Sequence, residues 1–263
     1  MSFDRATLGR TGAEVCRLGL AASYGAPAAT VEDAFDQGVN YFYWGSIRRG
    51  SFGAGLRALG SRRDRFLLVT QSYSRVASLV GPSLERALRA LRFDYTDVLL
   101  LGLWNDSVPP RILNACRKLI ERGLVRYLAV STHNRPLITR LARDPQFDIF
   151  HVRYNAVHRG AEREVFPHML PPDPPGLVSF TATSWRQLLG TRRIPPDLAV
   201  PTATDCYRFV LTQPAVNICM TGPANHVQFK QALEALRRGP MCEDQLDWMR
   251  RVGDAIYGKP RSA

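Results

Sequence analysis

The sequence predicts a single (β/α)8 barrel, also called a TIM barrel. Eight short runs rich in apolar and β-branched residues recur along the chain, and amphipathic helical segments separate them. The length of 263 residues suits one such barrel and provides a sizeable core. A doubly wound open sheet is the structural alternative, but no GxGxxG motif follows the first run. We therefore expect one domain that spans residues 1–263.

The expected strands and helices can be placed in order along the chain. The strands are predicted at 15–21, 39–44, 65–70, 97–103, 125–131, 148–155, 176–182 and 215–221. Helices are predicted at 83–92, 111–123 and 226–239; the first has a one-sided leucine stripe, and the other two end in glycine. The segment 167–176 is too rich in proline to be helical, and 192–206 should end at a helix N-cap near Thr204 or Asp205. Functional residues of such barrels lie where strands end.

Composition indicates a globular protein of the cytoplasm. Hydrophobic residues make up 45% of the chain and charged residues 22%, which is ordinary for a globular domain. There is no run of 18 apolar residues and no apolar segment near the N-terminus, so neither a membrane span nor a secretory signal is predicted. The five cysteines lack a CxxC pair and are expected to be free thiols. The histidines lack HxxxH or HxH spacing, so no metal site is predicted.

The net charge of +12 comes almost entirely from arginine. A basic cluster is formed by Arg48, Arg49, Arg57, Arg62, Arg63 and Arg65. It is consistent with a solvated basic face or with attraction of an anionic ligand or cofactor. No nucleic-acid recognition motif is present, so the expected partner is a small molecule, and the oligomeric state is left open.

The order of the segments resembles that of the aldo-keto reductases over nearly the whole chain. ATLGRTGAEVCRLGLA (6–21) is similar to that family's opening hairpin and first strand, and GVNYF (38–42) to its second strand. Further similar segments are SLERALRALRFDYTDVLLL (83–101), ERGLVRYLAVSTHN (121–134) and TQPAVNICMTGPANHVQFKQALEAL (212–236). The resemblance implies a barrel of the aldo-keto reductase type and the reduction of carbonyl compounds with NADPH.

The same resemblance implies that the usual catalytic residues have changed. The family uses an aspartate, a tyrosine, a lysine and a histidine, and these positions match Tyr43, a site at or near Arg48, Gln71 and Gly102. A phenol has an ordinary pKa of about 10 and requires a nearby cation or donor to act as an acid at neutral pH. We therefore expect that ordinary aldehyde reduction at the family's usual rates has been lost.

The candidate catalytic residues are Tyr43, Arg48, Gln71, Tyr73 and His133. Alternation along a strand should place Tyr41 and Tyr43 on one face, with Trp44 on the other. One hypothesis is that Arg48 lies beside Tyr43 and lowers its pKa, which would imitate the lost tyrosine–lysine pair. The alternative is that Tyr43 fills the vacated pocket.

The resemblance also implies a cofactor site that binds NADP(H) weakly. Phe180 matches the ring that stacks on nicotinamide, Ser131 a contact to its carboxamide, and His151 replaces a glutamine. The phosphate end is implied at Ser184, Arg186, Gln187, Leu188, Gly222, Asn225 and Gln228, where the last three open a helix. Three functions stay open: an NADP(H)-dependent oxidoreductase with non-standard residues, an isomerase, lyase or cyclase, and a non-catalytic ligand-binding pseudoenzyme or scaffold.

Overall fold

Eight parallel strands close into a barrel in the computed structural model, which describes residues 3, 5–45, 48–169 and 173–257. A short antiparallel hairpin, β1 (Ala6–Thr7) and β2 (Glu14–Val15), comes first. The barrel strands follow in chain order as β3 (Leu18–Ala21), β4 (Tyr41–Trp44), β5 (Leu67–Ser72), β6 (Thr96–Leu101), β7 (Val125–Thr132), β8 (Ile149–Arg153), β9 (Gly176–Phe180) and β10 (Ile218–Thr221). Strand β10 pairs with β3 and closes the barrel. The predicted fold class is confirmed.

Helices connect the strands and surround them. They are α1 (Ala28–Asp36), α2 (Gly50–Ala58), α3 (Ala77–Leu91), α4 (Pro110–Glu121), α5 (Arg135–Leu141), α6 (Ala161–Glu164), α7 (Ala203–Thr212), α8 (His226–Arg238) and α9 (Glu243–Tyr257). Helix α3 buries Leu84, Leu88 and Leu91, as its leucine spacing predicts. Helices α4 and α8 end just before Gly123 and Gly239, whose φ angles of 72° and 65° favour glycine.

Most strand ends shift by one to three residues from their predicted positions, α3 begins at Ala77 rather than at residue 83, and two ends have a clear local cause. Helix α7 is capped by Thr202 rather than by Thr204 or Asp205, because the Thr202 hydroxyl accepts the Asp205 N–H while the Asp205 carboxylate accepts the Thr202 N–H. Strand β6 stops at Leu101 rather than at residue 103, because the chain turns at Leu103, where φ is 50°. Of the proline-rich segment 167–176, residues 170–172 lie outside the described ranges.

Two apolar layers stabilise the barrel. One lies inside it and includes Tyr41, Val69, Val98 and Leu100; the other lies between the strands and the helices. Strand β4 divides between them as predicted, since Tyr41 and Tyr43 belong to the inner layer whereas Trp44 packs in the outer one. Tyr41 and Tyr43 therefore both face the barrel interior, with Tyr43 nearer the carboxyl end of β4.

A buried ion network ties β5 to β6. The carboxylate of Asp97, which is fully buried, accepts hydrogen bonds from Arg63 at 2.6 Å, from the Leu68 N–H at 2.8 Å and from Arg126 at 3.0 Å. Arg62 pairs with Asp36 at 3.0 Å. Arg63 therefore belongs to a buried network, whereas Arg48, Arg49, Arg57 and Arg65 are exposed and Arg62 pairs with a carboxylate at the surface.

Candidate functional site

A cavity of about 350 Å³ opens at the carboxyl ends of the barrel strands. Eight aromatic side chains line it beside small apolar and hydroxyl-bearing ones, and they come from β4, β8, β9, α7 and the segments after β3, β5, β7 and β9: Tyr24, Tyr43, Tyr73, His133, His151, Phe180, Trp185 and Tyr207. Within the described part of the chain, no aspartate, glutamate, lysine or arginine lines this cavity. The lining therefore suits an uncharged ligand with aromatic or apolar surface.

Tyr43 is held by hydrogen bonds at the wall of this cavity. Its hydroxyl donates to the Gln71 side-chain oxygen and lies 3.2 Å from the Gly45 carbonyl oxygen. Burial holds the pKa of Tyr43 well above its ordinary value, the neighbouring phenol of Tyr73 raises it further, and Arg49 opposes this only in part. The Tyr43 phenol is therefore a weaker acid than a phenol in water.

Gly102 makes room for Gln71 and Tyr73. A Cβ atom at position 102 would lie 2.4 Å from the Gln71 side-chain nitrogen and 2.5 Å from the Tyr73 ring. The space beyond the end of β6 is thus filled by two side chains from β5 and the segment after it. A histidine at this position would displace both of them, so the three residues form one matched set.

His151 is buried in the barrel and forms a hydrogen bond with Tyr41. The Tyr41 hydroxyl lies 2.8 Å from His151 Nε2, and both side chains are almost fully buried. Burial lowers the pKa of His151 to about 3, so the imidazole is neutral at neutral pH. When the Tyr41 O–H donates to Nε2, the neutral imidazole carries its hydrogen on Nδ1. His151 also lines the cavity.

The sequence model of the Aldo/keto reductase family matches residues 23–173, which is more than half of the chain. The chain belongs to this family. Among curated relatives, an L-galactose dehydrogenase of Arabidopsis thaliana is 28% identical over 149 residues, which cover 47% of each chain. An aryl-alcohol dehydrogenase of Pestalotiopsis microspora is 33% identical over 92 residues, or 32% of this chain and 24% of that one. The matched segments thus span less than half the length of these relatives.

Solved structures support the same fold. An aldo-keto reductase of Bacillus halodurans, in its holo form, superimposes with a TM-score of 0.76 over 95% of this chain and 96% of that one, at 18% identity. In the present chain, the cavity brings together four of the predicted catalytic residues. They lie at the ends of β4, β5 and β7 or just after them: Tyr43, Gln71, Tyr73 and His133.

The hypothesis that Arg48 lowers the pKa of Tyr43 is wrong. Arg48 is exposed and is not part of the cavity wall, and the arginine that acts on the Tyr43 phenol is Arg49. The guanidinium of Arg49 lies over the Trp44 ring at 4.4 Å, on the outer side of β4. The effect of burial exceeds that of this charge, so the pKa of Tyr43 is raised rather than lowered.

The nicotinamide end of the implied cofactor site lies within the cavity. Ser131, His151 and Phe180 all line it, and the His133 ring lies 6.3 Å from the Phe180 ring. The Ser131 hydroxyl accepts the Leu103 N–H at 3.0 Å, which leaves its own hydrogen available for a ligand. Partial burial lowers the pKa of His133, and the positive charge of Arg153 lowers it further. These residues fit a flat, uncharged ring that carries an amide.

At the predicted phosphate end, Asn225 and Gln228 open α8 and bond to backbone N–H groups at its start. Asn225 caps α8 by accepting the Gln228 N–H at 3.0 Å, and the Gln228 side chain accepts the Ala224 N–H at 2.8 Å. The backbone N–H groups of Ala224 and Gln228 are therefore already used within the chain. Gly222 still lines the cavity, close to Ser23 and Tyr24.

The segment after β9 adopts unusual backbone geometry. Thr181, Ser184, Trp185 and Arg186 all have positive φ angles between 49° and 70°. The Ser184 hydroxyl is buried and has no hydrogen-bond partner in the described structure, whereas Arg186 is exposed. Leu188 is fully buried and packs in the outer apolar layer. The orphaned hydroxyl and the exposed arginine are compatible with a phosphate at this loop.

Sequence reasoning missed several residues of the cavity wall. Tyr24 and Trp185, which are 42% and 43% exposed, stand at its rim, and Tyr207 is held by a 2.9 Å hydrogen bond between its hydroxyl and that of Thr221. Tyr24 directly follows β3, so its position at a strand end was the signal that could have identified it. Tyr207 lies within α7 and carries no such signal.

We expect His151 to make the fold sensitive to mild acid. Its pKa rises from about 3 in the folded chain to about 6.5 on unfolding, so the unfolded chain binds the additional proton. Stability is then complete above about pH 6.5 and falls by up to about 1.4 kcal/mol per pH unit as the pH decreases toward 3. Urea unfolding between about pH 7 and pH 5 should show a smaller loss in His151→Gln, which can still accept the Tyr41 hydrogen bond. His168→Gln, at an exposed position, is the control, and equal slopes in all three proteins would contradict the assignment.

Within the described ranges, no helix is both long and apolar enough to span a membrane. The same ranges contain no group of three or more histidine, cysteine, aspartate or glutamate side chains arranged to bind a metal ion.

Proposed function

We propose that this aldo/keto reductase is an NADP(H)-dependent oxidoreductase that interconverts an uncharged carbonyl compound with aromatic or apolar character and its alcohol. The observation that carries the proposal is the uncharged, aromatic cavity at the carboxyl ends of the barrel strands. The names of the curated relatives, an L-galactose dehydrogenase and an aryl-alcohol dehydrogenase, support an oxidoreductase. The aromatic side chains of the cavity favour an aryl compound over a sugar as the substrate class.

Tyr73 is the group that we assign as proton donor. The Tyr43 hydroxyl is engaged by Gln71 and its pKa is raised, so it is poorly suited to give up a proton. The Tyr73 side chain also lines the cavity but is 62% exposed. It therefore reaches both the substrate oxygen and bulk water, from which it regains its proton. Gly102 fixes its position by leaving room for the ring.

His151 is assigned as a neutral donor that polarises the carbonyl. A neutral imidazole N–H fixed in a buried site stabilises negative charge on oxygen without having to reorganise. Its orientation is set by the hydrogen bond from Tyr41, and its neutrality by burial. Two residues therefore share the role of a single general acid: His151 polarises the carbonyl and Tyr73 supplies the proton.

Phe180, Ser131 and Gly222 are the residues that would hold the nicotinamide end of NADP(H). When bound, the cofactor supplies or accepts the hydride at the carbonyl carbon. Tyr73 supplies the matching proton to the oxygen during reduction and takes it back during oxidation. Weak cofactor binding is proposed because the N–H groups of Ala224 and Gln228 are already capped.

The proposal is tested by cofactor titration and by turnover. We expect saturable quenching of NADPH fluorescence with a Kd between about 0.1 and 5 mM, corresponding to about 3–5.5 kcal/mol of binding free energy. A panel of aryl aldehydes and aryl alcohols should then reveal slow, cofactor-dependent turnover in highly purified protein. Absence of saturable binding of both NADPH and NADP+ in the millimolar range would reject the cofactor assignment.

A second candidate function is non-catalytic ligand binding, and the raised pKa of Tyr43 favours it. Its raised pKa and the uncharged cavity wall also suit a protein that binds an aromatic molecule without converting it. Tight binding of members of the panel, with no turnover in the presence of either nicotinamide cofactor, would select this pseudoenzyme function.

A further inference from the structure

A second cavity, of about 310 Å³, lies on the outer side of β5 beneath α3. It is separated from the aromatic cavity by the strand itself, and Gln71 is the residue that lines both. Residues alternate across β5, so Val69 belongs to the inner apolar layer while Thr70 and Ser72 line the outer cavity. Ala87 and Ala90 of α3 leave the space that larger side chains would fill.

The floor of this cavity contains an unsatisfied hydroxyl. Thr70 is 2% exposed, and its Oγ1 has no hydrogen-bond partner among the described residues. A buried hydroxyl left without a partner costs about 1–3 kcal/mol, so such groups normally meet a partner from the protein, water or a ligand. Ser72 and Ser83 add two more hydroxyl groups to the wall. The cavity is thus polar at the place where the outer layer of a barrel is ordinarily apolar.

The mouth of the cavity is positively charged. Arg49 and Arg86 line it, and no carboxylate of the described chain does. The Arg49 guanidinium is fixed over the Trp44 ring at 4.4 Å. The neighbouring carboxylate on α3, Glu85, pairs with Arg122 at 2.8 Å and so does not neutralise Arg86.

We propose that this outer cavity binds a small hydroxylated oxyanion of the phosphate-ester class. Arg49 and Arg86 would contact the anion, because guanidinium groups match the geometry of phosphate oxygens. The hydroxyl of Thr70, with those of Ser72 and Ser83, would bond to the hydroxyl groups of the ligand body. This site is distinct from the aromatic cavity, and its occupancy does not require the proposed oxidoreductase activity.

Calorimetric titration with glycerol 3-phosphate tests the site directly. We expect saturable 1:1 binding to the wild-type chain that is weakened at least about tenfold by Arg86→Gln, because a hydrogen bond to a charged group contributes about 1.5–3 kcal/mol. Thr70→Val, which keeps the side-chain shape and removes the hydroxyl, should also weaken binding. Arg89→Gln removes the same charge from the same helix at an exposed position outside the cavity, and it should bind like the wild-type chain.

Three results would overturn the assignment. One is the absence of saturable binding at about 10 mM ligand, a concentration at which a weak site of about 3 kcal/mol, with a Kd of about 6 mM, is more than half occupied. Another is an equal loss in Arg86→Gln and Arg89→Gln, which would indicate general attraction to a basic protein. The third is unchanged binding in both Arg86→Gln and Thr70→Val, which would place the anion elsewhere, such as the loop after β9. Because Arg86 is exposed, its variant is expected to fold, and thermal unfolding checks this for Thr70→Val.

Discussion

Replacement of Asp97 by alanine is expected to lower the free energy of unfolding by about 3–5 kcal/mol, the usual cost of breaking a buried ion pair by removing one partner. The Asp97 carboxylate is fully buried and accepts from Arg63, Arg126 and the Leu68 N–H. Its loss leaves Arg63, which is only 9% exposed, without its counter-charge. The Leu68 N–H also loses its acceptor, so one side-chain link between β5 and β6 is lost beside their strand pairing.

Chemical unfolding monitored by circular dichroism measures this effect. Asp94→Ala removes a carboxylate from an exposed position three residues earlier and should change the free energy of unfolding by no more than about 0.5 kcal/mol. Asp97→Asn keeps the shape and separates the loss of charge from the loss of packing. A change in Asp97→Ala as small as that in Asp94→Ala would mean that the network does not stabilise the barrel.

The barrel could be predicted because its signals are local and repeated. Alternating apolar runs at regular spacing are visible in any window of the chain, and eight of them fix the strand number. The same alternation was sufficient to place Tyr41 and Tyr43 on the inner face and Trp44 on the outer one. A capping box is also present at Thr202 and Asp205, but the sequence prediction placed the N-cap two or three residues too late, at Thr204 or Asp205.

The electrostatics of the site could not be predicted in the same way. The sequence shows two arginines after Tyr43, but not that Arg48 is exposed or that Arg49 turns back over Trp44. Burial then decides the sign of the Tyr43 pKa shift, and burial depends on side chains from several strands. The Tyr41–His151 pair joins residues 110 positions apart, and only barrel closure brings them to 2.8 Å. Likewise, the sequence could not reveal that Gly102 makes room for Gln71 and Tyr73.

The assignment of Tyr73 as proton donor leads to the largest expected effect on activity. With the fastest substrate from the aryl panel, Tyr73→Phe should lower kcat by about 10²–10⁴-fold, the contribution usual for general acid catalysis. The variant keeps the ring that packs on Gly102 and loses only the hydroxyl. KM should therefore change little, because the exposed phenol contributes chiefly to the transition state.

Two matched variants show whether the effect belongs to Tyr73. Tyr24→Phe removes a phenol from the same rim, at 42% exposure, and should leave kcat within about threefold of the wild-type value, or about 0.6 kcal/mol. Tyr43→Phe removes the hydroxyl whose hydrogen bond Gln71 accepts. We expect only a modest decrease in kcat, because the Gln71 amide loses that partner. If Tyr43→Phe instead abolishes turnover while Tyr73→Phe retains it, the proton comes from the buried phenol despite its raised pKa, and the assignment of Tyr73 is wrong. If both variants remain active, the proton reaches the substrate from water at the open mouth, and the catalytic contribution of the chain reduces to orientation and to the His151 N–H.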